Sequence, residues 1–268
     1  MKISICVDAL YFEKDIYKGL EEIKQCGYEN FEIWSWWDKD IDRLIEIKTR
    51  LGMKLTACCT RFISLVDPSE REEYVKGLLE SIEAAKKLGC KELISQVGND
   101  TGKSREEQHK SLVEGLKLCA PILEENGITL VVEPLNTRVD HQGYYLWSSD
   151  EAFQVIEEVG SPNVRILYDI YHQQIMEGDL LRRIIPNIYK IGHFHAAGNP
   201  GRNELYRGEL DYKRIFEEIE KTGFNGYIGY EYFAKDPAAE GLKKTRACIG
   251  GNAEAETGNR SAEYIKNM

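Results

Sequence analysis

Short apolar segments alternate with amphipathic segments along most of this chain, and this alternation limits the folds that it can adopt. The apolar segments are rich in β-branched and aromatic residues and are bounded by turn residues, which is typical of buried strands. Eight strands are predicted, at 3–7, 30–34, 54–58, 92–95, 129–133, 164–169, 188–195 and 227–232. Because helical segments separate them, the strands are expected to run parallel in one sheet.

The segments between the strands predict helices, and several of these end at a glycine, which favours the backbone conformation that follows a helix. They cover 15–25, 69–88, 104–126, 149–159 and 212–221, with a further helix at about 237–248. Eight strands in 268 residues leave about 33 residues for each strand–helix unit, which suits a (β/α)₈ barrel. An open sheet is less favoured, because no G-x-G-x-x-G motif follows the first strand. The sequence therefore predicts an α/β fold: one TIM-barrel domain over 1–248 and a weakly specified tail over 249–268.

The net charge of the chain bears on whether it binds nucleic acids or membranes. It has 35 basic and 45 acidic residues, and its formal net charge is −10. Nucleic acids and anionic membranes attract basic surfaces, and no apolar segment reaches the roughly 18 residues of a membrane span. We therefore expect neither partner.

The cysteines and the N-terminus indicate the compartment. The number of cysteines, seven, is odd, and no C-x-x-C motif occurs, which favours free thiols over a disulfide framework or a zinc–cysteine site. Asp8 interrupts the first apolar segment, so a signal peptide is not predicted. We expect a cytoplasmic protein and leave a homo-oligomer open.

Four polar side chains lie at the ends of apolar strands in the second half of the chain. These strand-end residues are Glu133, Asp169, His195 and Glu231, which are separated by 36, 26 and 36 residues and so fall on consecutive strands. Barrel enzymes place their chemistry at the carboxyl ends of the strands, so the four are expected to converge at one mouth. Three carboxylates there would repel one another unless a cation neutralised them, and with one imidazole they suit Mn²⁺, Mg²⁺ or Co²⁺. The sequence predicts a site for one divalent metal ion.

Further side chains near this mouth are candidates for binding a substrate. His172 lies in the segment after the sixth strand, and Arg202 lies in the Gly- and Pro-rich loop after the seventh, where a guanidinium can bind a carbonyl or anionic oxygen. Trp34 follows the second strand and is expected to form an apolar wall, although core packing explains it equally well. His193 shares a strand face with His195 and is expected to support it from deeper in the barrel. The remaining histidines are expected to be structural or exposed: His109 and His141.

Several motifs around these residues resemble the xylose isomerase-like (β/α)₈ family of sugar isomerases and epimerases, and within it the hydroxypyruvate isomerases. The motifs are VVEPLNTR, YDIYHQQIMEGDL, IGHFHAAGNPGR, GELDY and GYIGYEY, at 131–138, 168–180, 191–202, 208–212 and 226–232. The resemblance is sharpest over about 127–233. It implies that the four strand-end residues bind one divalent metal ion and that Glu133 and Glu231 exchange protons with the substrate as catalytic residues. It also implies that His172 and Arg202 contact the substrate.

The resemblance implies an isomerase that interconverts an α-hydroxy aldehyde and an α-hydroxy ketone, of the hydroxypyruvate and tartronate semialdehyde type, through a cis-enediolate. The substrate would be a small sugar or keto acid. Ketose 3-epimerases of the tagatose and psicose type and 2-oxo-tetronate isomerases stay open, because the same ligands serve either outcome. In some hydroxypyruvate isomerases a glutamine replaces His195, so the HFH motif fits the epimerase pattern better.

Two other classes are less favoured. A metal nuclease would need more histidines and a basic surface for DNA. A non-catalytic sugar-binding or subunit role predicts missing ligands, and all four strand-end residues are present.

Overall fold

The computed structural model, which describes residues 1–249, places nine parallel strands in one sheet. They are β1 (Lys2–Cys6), β2 (Asn30–Glu32), β3 (Lys54–Leu55), β4 (Cys58–Cys59), β5 (Glu92–Ser95), β6 (Thr129–Val132), β7 (Val164–Asp169), β8 (Ile191–Ala196) and β9 (Tyr227–Tyr230). Their order in the sheet is β3-β2-β1-β9-β8-β7-β6-β5-β4, and every pairing is parallel. The predicted single-domain TIM barrel is confirmed. Apart from Ile249, the predicted tail over 249–268 lies outside the described residues.

The third predicted strand is divided into β3 and β4, which form the two ends of the sheet. Only Thr56 and Ala57 separate them, so the chain itself closes the barrel at this seam. Backbone hydrogen bonds continue across the seam, where Thr56 N donates to Phe31 O at 2.9 Å and Cys59 N donates to Trp34 O at 2.8 Å. The division arises because the first half of this segment pairs with β2 and the second half with β5. The barrel therefore has the eight strand positions that were predicted.

Helices surround the barrel. They are α1 (Val7–Leu10), α2 (Ile16–Gln25), α3 (Ile41–Leu51), α4 (Arg71–Leu88), α5 (Arg105–Asn126), α6 (Ser149–Val159), α7 (Ile170–Met176), α8 (Leu180–Ile184), α9 (Tyr212–Lys221) and α10 (Ala238–Ile249). Short 3₁₀ segments lie at Pro68–Glu70, Ile185–Lys190 and Leu205–Arg207. In residues 1–249, no helix has the length and apolar character needed to cross a membrane.

Side-chain caps explain where several helices begin. At α5, Ser104 Oγ accepts a hydrogen bond from Glu107 N, and the Glu107 carboxylate accepts one from Ser104 N, which is a capping box. The prediction missed α3, although Asp40 caps its first turn and Gly52 ends it in the left-handed conformation. The strand predicted from residue 188 begins later, because Ile185–Lys190 forms a 3₁₀ helix.

The interior of the barrel has an apolar part and a charged part. A small apolar cluster packs against Trp34 inside the barrel, separate from the main core between the strands and the helices: Ala57, Cys59, Ile94, Val131 and Leu167. Ionisable side chains from β2 and β8 are also buried there, and Glu92 of β5 lies partly buried beside them. Gly229 in β9 leaves room for them, because a Cβ at this position would overlap the Glu32 carboxylate and approach His195 Cδ2 to 2.7 Å.

Gly229→Ala should lower the free energy of unfolding by about 1–3 kcal/mol, the usual cost of overpacking a well-filled interior. Urea denaturation followed by circular dichroism measures this change. Gly241→Ala in α10 is the matched control, because its Cβ would come no closer than 3.2 Å to any neighbouring atom, the nearest being Cγ of Glu204. Alanine is also the better helix former, so this control should change stability little. Equal stability of Gly229→Ala and the native protein would contradict the packing account.

Candidate active site

The carboxyl ends of β6 to β9 bring the four strand-end residues to one mouth of the barrel. Glu133 directly follows β6 and Glu231 directly follows β9, whereas Asp169 ends β7 and His195 lies next to the end of β8. Asp169 and His195 are direct partners in the register of these two strands. All four side chains are buried. The strand-end pattern in the sequence therefore corresponds to one cluster in space.

The distances within this cluster suit a shared cation. His195 Nδ1 lies 3.4 Å from Glu133 Oε1 and 3.5 Å from Glu231 Oε2. Glu133, Asp169 and Glu231, together with His172, offer potential ligand atoms that all lie within 4.8 Å of one another. Oxygen and nitrogen atoms at such separations can share one divalent ion. The structure thus brings the predicted set together and adds His172 as a fifth neighbour.

Buried polar atoms of the cluster lack partners within residues 1–249. Glu133 Oε1, His172 Nε2 and His195 Nδ1 are buried and accept or donate no hydrogen bond there. Leaving such an atom unpaired costs about 1–3 kcal/mol, so Glu133 Oε1 and His195 Nδ1 fit a cation, while His172 Nε2 calls for a partner of its own. Burial is the main cause that raises the pKa of Asp169 to about 7. A bound cation would oppose this shift, because it favours the ionised carboxylate.

Glu231 is held by two donors from different loops. Trp34 Nε1 donates a hydrogen bond to Glu231 Oε1 at 2.5 Å, and the Arg202 guanidinium donates to Oε2. Burial acts to raise the pKa of Glu231, but Arg202 and His195 outweigh it and lower the pKa well below its usual value. Glu231 is therefore ionised at neutral pH. Arg202 has a φ of 52°, a strained backbone conformation for a residue with a side chain.

A row of buried charges continues from the mouth into the barrel. In this buried charge row, Glu32 Oε1 lies 3.2 Å from His195 Nε2 and Glu32 Oε2 lies 3.1 Å from His193 Nε2. His193 Nδ1 in turn lies 2.5 Å from Glu92 Oε1. Burial acts to raise the pKa of Glu32, but His195 and His193 outweigh it and lower the pKa to about 2. His193 therefore lies deeper than His195, as expected, and reaches it through Glu32.

A cavity of about 810 Å³ lies above the cluster. Trp34, Phe62 and Phe233 supply apolar wall, while Gln96 and Asp100 are among its polar lining residues. Trp34 packs edge-on against Phe233 with ring centroids 6.3 Å apart. Trp34 thus lines the cavity, which was one of the two positions that the sequence left open, and it also contacts Glu231. The cavity combines an apolar wall with a charged floor, which is typical of sites for small polar ligands.

The sequence prediction missed three residues of this region. Glu32 shares a strand face with Trp34, and that alternation was the signal that it points inward. Asn136 is fully buried beside His172, to which its side chain donates a hydrogen bond at 2.6 Å. His141 was expected to be structural or exposed but lines the cavity, with its ring 5.2 Å from that of His172. Asn136 and His141 both lie in the segment after the carboxyl end of β6, and this position was the signal in the sequence that could have indicated the mouth.

Comparison with known proteins finds relatives that are named as isomerases. The hydroxypyruvate isomerase of Escherichia coli (strain K12) is 33% identical over 253 residues, which cover 91% of this chain and 97% of that protein. A 2-oxo-tetronate isomerase of Cupriavidus necator is 37% identical over 138 residues, which cover 52% of this chain and 53% of that protein. The resemblance to hydroxypyruvate isomerases is confirmed, and these relatives are named as isomerases.

The similarity of structure extends over the whole barrel. The crystal structure of an AP endonuclease, family 2, from Brucella melitensis superposes with a TM-score of 0.87 at 25% sequence identity, covering 92% of this chain and 98% of that chain. The family model described as xylose isomerase-like TIM barrel matches residues 20–249. The chain therefore belongs to the xylose isomerase-like TIM barrel family.

Proposed function

We propose that the protein is a divalent-metal-dependent isomerase that interconverts an α-hydroxy aldehyde and an α-hydroxy ketone through a cis-enediolate. Hydroxypyruvate and tartronate semialdehyde are the proposed pair. The observation that carries the proposal is the convergence of three buried carboxylates and one imidazole at one mouth, below a cavity that can admit a substrate. The names of the related isomerases support the class of reaction.

In this proposal the four strand-end residues hold one Mn²⁺, Mg²⁺ or Co²⁺ ion. Three carboxylates and one imidazole form a mostly oxygen donor set, which these ions accept. When bound, the ion supplies Lewis acidity that stabilises negative charge on the substrate oxygens. Arg202 neutralises part of the negative charge of the site, because its guanidinium pairs with Glu231.

Proton transfer falls to the two glutamates, which differ in their surroundings. Glu133 Oε2 accepts a hydrogen bond from Gln96 Nε2 at 3.3 Å, while its Oε1 is buried without such a bond. Both oxygens of Glu231 accept hydrogen bonds, from Trp34 and Arg202. We therefore assign Glu133 as the base that removes the proton next to the carbonyl, and Glu231 as the second group that exchanges protons with the substrate. General base catalysis of this kind contributes about 10²–10⁴-fold.

A ketose 3-epimerase or a 2-oxo-tetronate isomerase is the second candidate, and the cavity favours it. Cavities of about 300–1,000 Å³ bind ligands of drug size, so about 810 Å³ exceeds the needs of a three-carbon acid. Among the described residues that line the cavity, Arg202 is the single lysine or arginine, and it already pairs with Glu231. A longer neutral sugar would fill more of this space and needs no second cation.

Asp169→Asn should weaken Mn²⁺ binding by at least about tenfold, because it removes one charge from the donor set. The variant should still fold, since asparagine retains an oxygen to accept the hydrogen bond from His172 N. Isothermal titration calorimetry measures the affinity. Asp211→Asn is the matched control, because this residue caps α9 and asparagine also caps helices. Full turnover after treatment with a chelator would contradict the metal requirement.

Glu133→Gln and Glu231→Gln should both fold and lose turnover by about 10²–10⁴-fold, because glutamine retains an oxygen donor but has no basic site. Exchange of substrate hydrogen for solvent deuterium, followed by mass spectrometry, separates their roles. We expect native protein to incorporate deuterium and Glu133→Gln to incorporate none. If both variants turn over at near-native rates, the assigned proton transfers are wrong.

Arg202→Lys tests the substrate class. A planar guanidinium binds a carboxylate through two hydrogen bonds, which a lysine ammonium cannot reproduce. If the substrate is hydroxypyruvate, the variant should raise its KM far more than the KM of a neutral ketose. Steady-state kinetics with both substrates gives the comparison. Equal increases would favour the neutral sugar of the second candidate.

A further inference from the structure

The turn after β6 is built around the side chain of Asn136. Asn136 Oδ1 accepts hydrogen bonds from Val139 N and Asp140 N, both at 3.0 Å. Its Nδ2 donates to Asp140 Oδ2 at 2.6 Å and to His172 Nδ1 at 2.6 Å. Two backbone N–H groups can face only the amide oxygen, so they fix which end of the amide points at His172.

His172 Nδ1 faces a second donor as well. Asn136 N lies 3.4 Å from this nitrogen, and a backbone N–H cannot reverse its role. A ring nitrogen that accepts from two N–H groups must carry a lone pair and no hydrogen. In the neutral imidazole the hydrogen then lies on the other nitrogen, Nε2.

The Nε2 atom of His172 lies at the candidate site. It is 3.5 Å from Asp169 Oδ2, and it is buried with no hydrogen-bond partner in residues 1–249. His172 itself is fully buried. An N–H group in this place can donate to an oxygen of a bound ligand, but it has no lone pair for a metal ion.

We propose that Asn136 is a positioning residue that holds His172 in its Nε2–H tautomer, the form in which His172 cannot bind the metal but can make the substrate contact that the family resemblance implies, as a donor to a substrate oxygen. The identity of that oxygen, on an α-hydroxy carbonyl compound, rests on the proposed function above. The tautomer itself does not.

This assignment separates the roles of the two histidines at the mouth. His195 Nε2 faces the Glu32 carboxylate at 3.2 Å, which favours a hydrogen on that nitrogen and a lone pair on Nδ1. His195 Nδ1 lies beside Glu133 and Glu231. His195 therefore presents a lone pair to the cluster, and His172 presents an N–H group.

The experiment is long-range ¹H–¹⁵N NMR of protein labelled at its histidines, with Mg²⁺ present. The chain has five histidines, and the spectrum of His172→Gln assigns the His172 signals by their absence. We expect native His172 to be protonated at Nε2 and unprotonated at Nδ1. A native ring with its hydrogen on Nδ1 would overturn the proposal, whatever the variants show.

An exchange of two side chains provides the decisive variant. Combining Asn136→Asp with Asp140→Asn keeps composition and net charge, but a carboxylate acceptor then replaces the side-chain donor at 2.6 Å from His172 Nδ1 and leaves only the longer backbone contact at 3.4 Å. We expect Nδ1 to become protonated. Asp140→Asn alone is the matched control: it removes the neighbouring charge and keeps the Asn136 donor, so the tautomer should not change. An unchanged His172 spectrum in the double variant would overturn the proposal.

Kinetics then test the role as a donor. Where the double variant shows Nε2 without hydrogen, kcat should fall by roughly 10²–10³-fold, the usual loss when a donor to a developing oxyanion is removed. Unchanged kcat in that variant would overturn the donor role. A native protein that turns over no α-hydroxy carbonyl compound would contradict the proposed function instead, while the NMR result on the tautomer would stand.

Discussion

Repulsion between buried carboxylates is the interaction around which the interior of this barrel is arranged. Glu133, Asp169 and Glu231 meet at one mouth with almost no access to water. Two unit charges 4 Å apart interact by about 4 kcal/mol at an effective dielectric constant of 20, so three such groups need opposite charge nearby. Arg202 supplies part of it by pairing with Glu231. The negative charge that Arg202 leaves uncompensated is the physical reason for expecting a cation at this mouth.

Deeper in the barrel lie two further carboxylates, and there histidine side chains of the protein pair with them. Glu32 lies between His193 and His195, and Glu92 contacts the far side of His193. Carboxylate and imidazole thus alternate along the buried charge row from β5 to the mouth. His195 belongs both to this row and to the cluster above it. Its ring is consequently oriented by the barrel core, which links the candidate site to strands in the first half of the chain.

The sequence predicted the fold well because each strand–helix unit carries its own signal. Asp169 and Glu231 were found for a similar reason, since a carboxylate that ends an apolar strand is visible locally. Glu32 was missed because its partners lie on β8, across the barrel, and no local pattern shows that pairing. The role of Asn136 depends on the direction of an amide in a turn, which spacing in the sequence does not reveal.

Helix α3 and the 3₁₀ segment Ile185–Lys190 were missed or misplaced for a different reason. α3 carries apolar side chains at helical spacing that pack on the core, among them Ile41, Leu44 and Leu51, so its signal was present in the sequence and the prediction did not use it. The segment before β8 is apolar whether it is helical or extended, so composition does not distinguish the two states.

The contact between Trp34 and Glu231 gives the candidate site an optical signal of its own. The indole N–H points at a buried carboxylate, and indole fluorescence responds to charge in its immediate surroundings. Of the four tryptophans, Trp36 and Trp37 pack on each other and Trp147 lies partly in solvent. Any ligand that draws Glu231 away from Trp34 will therefore change the emission of this residue. Ligand binding at the mouth can therefore be followed by intrinsic tryptophan fluorescence, without a label and without turnover.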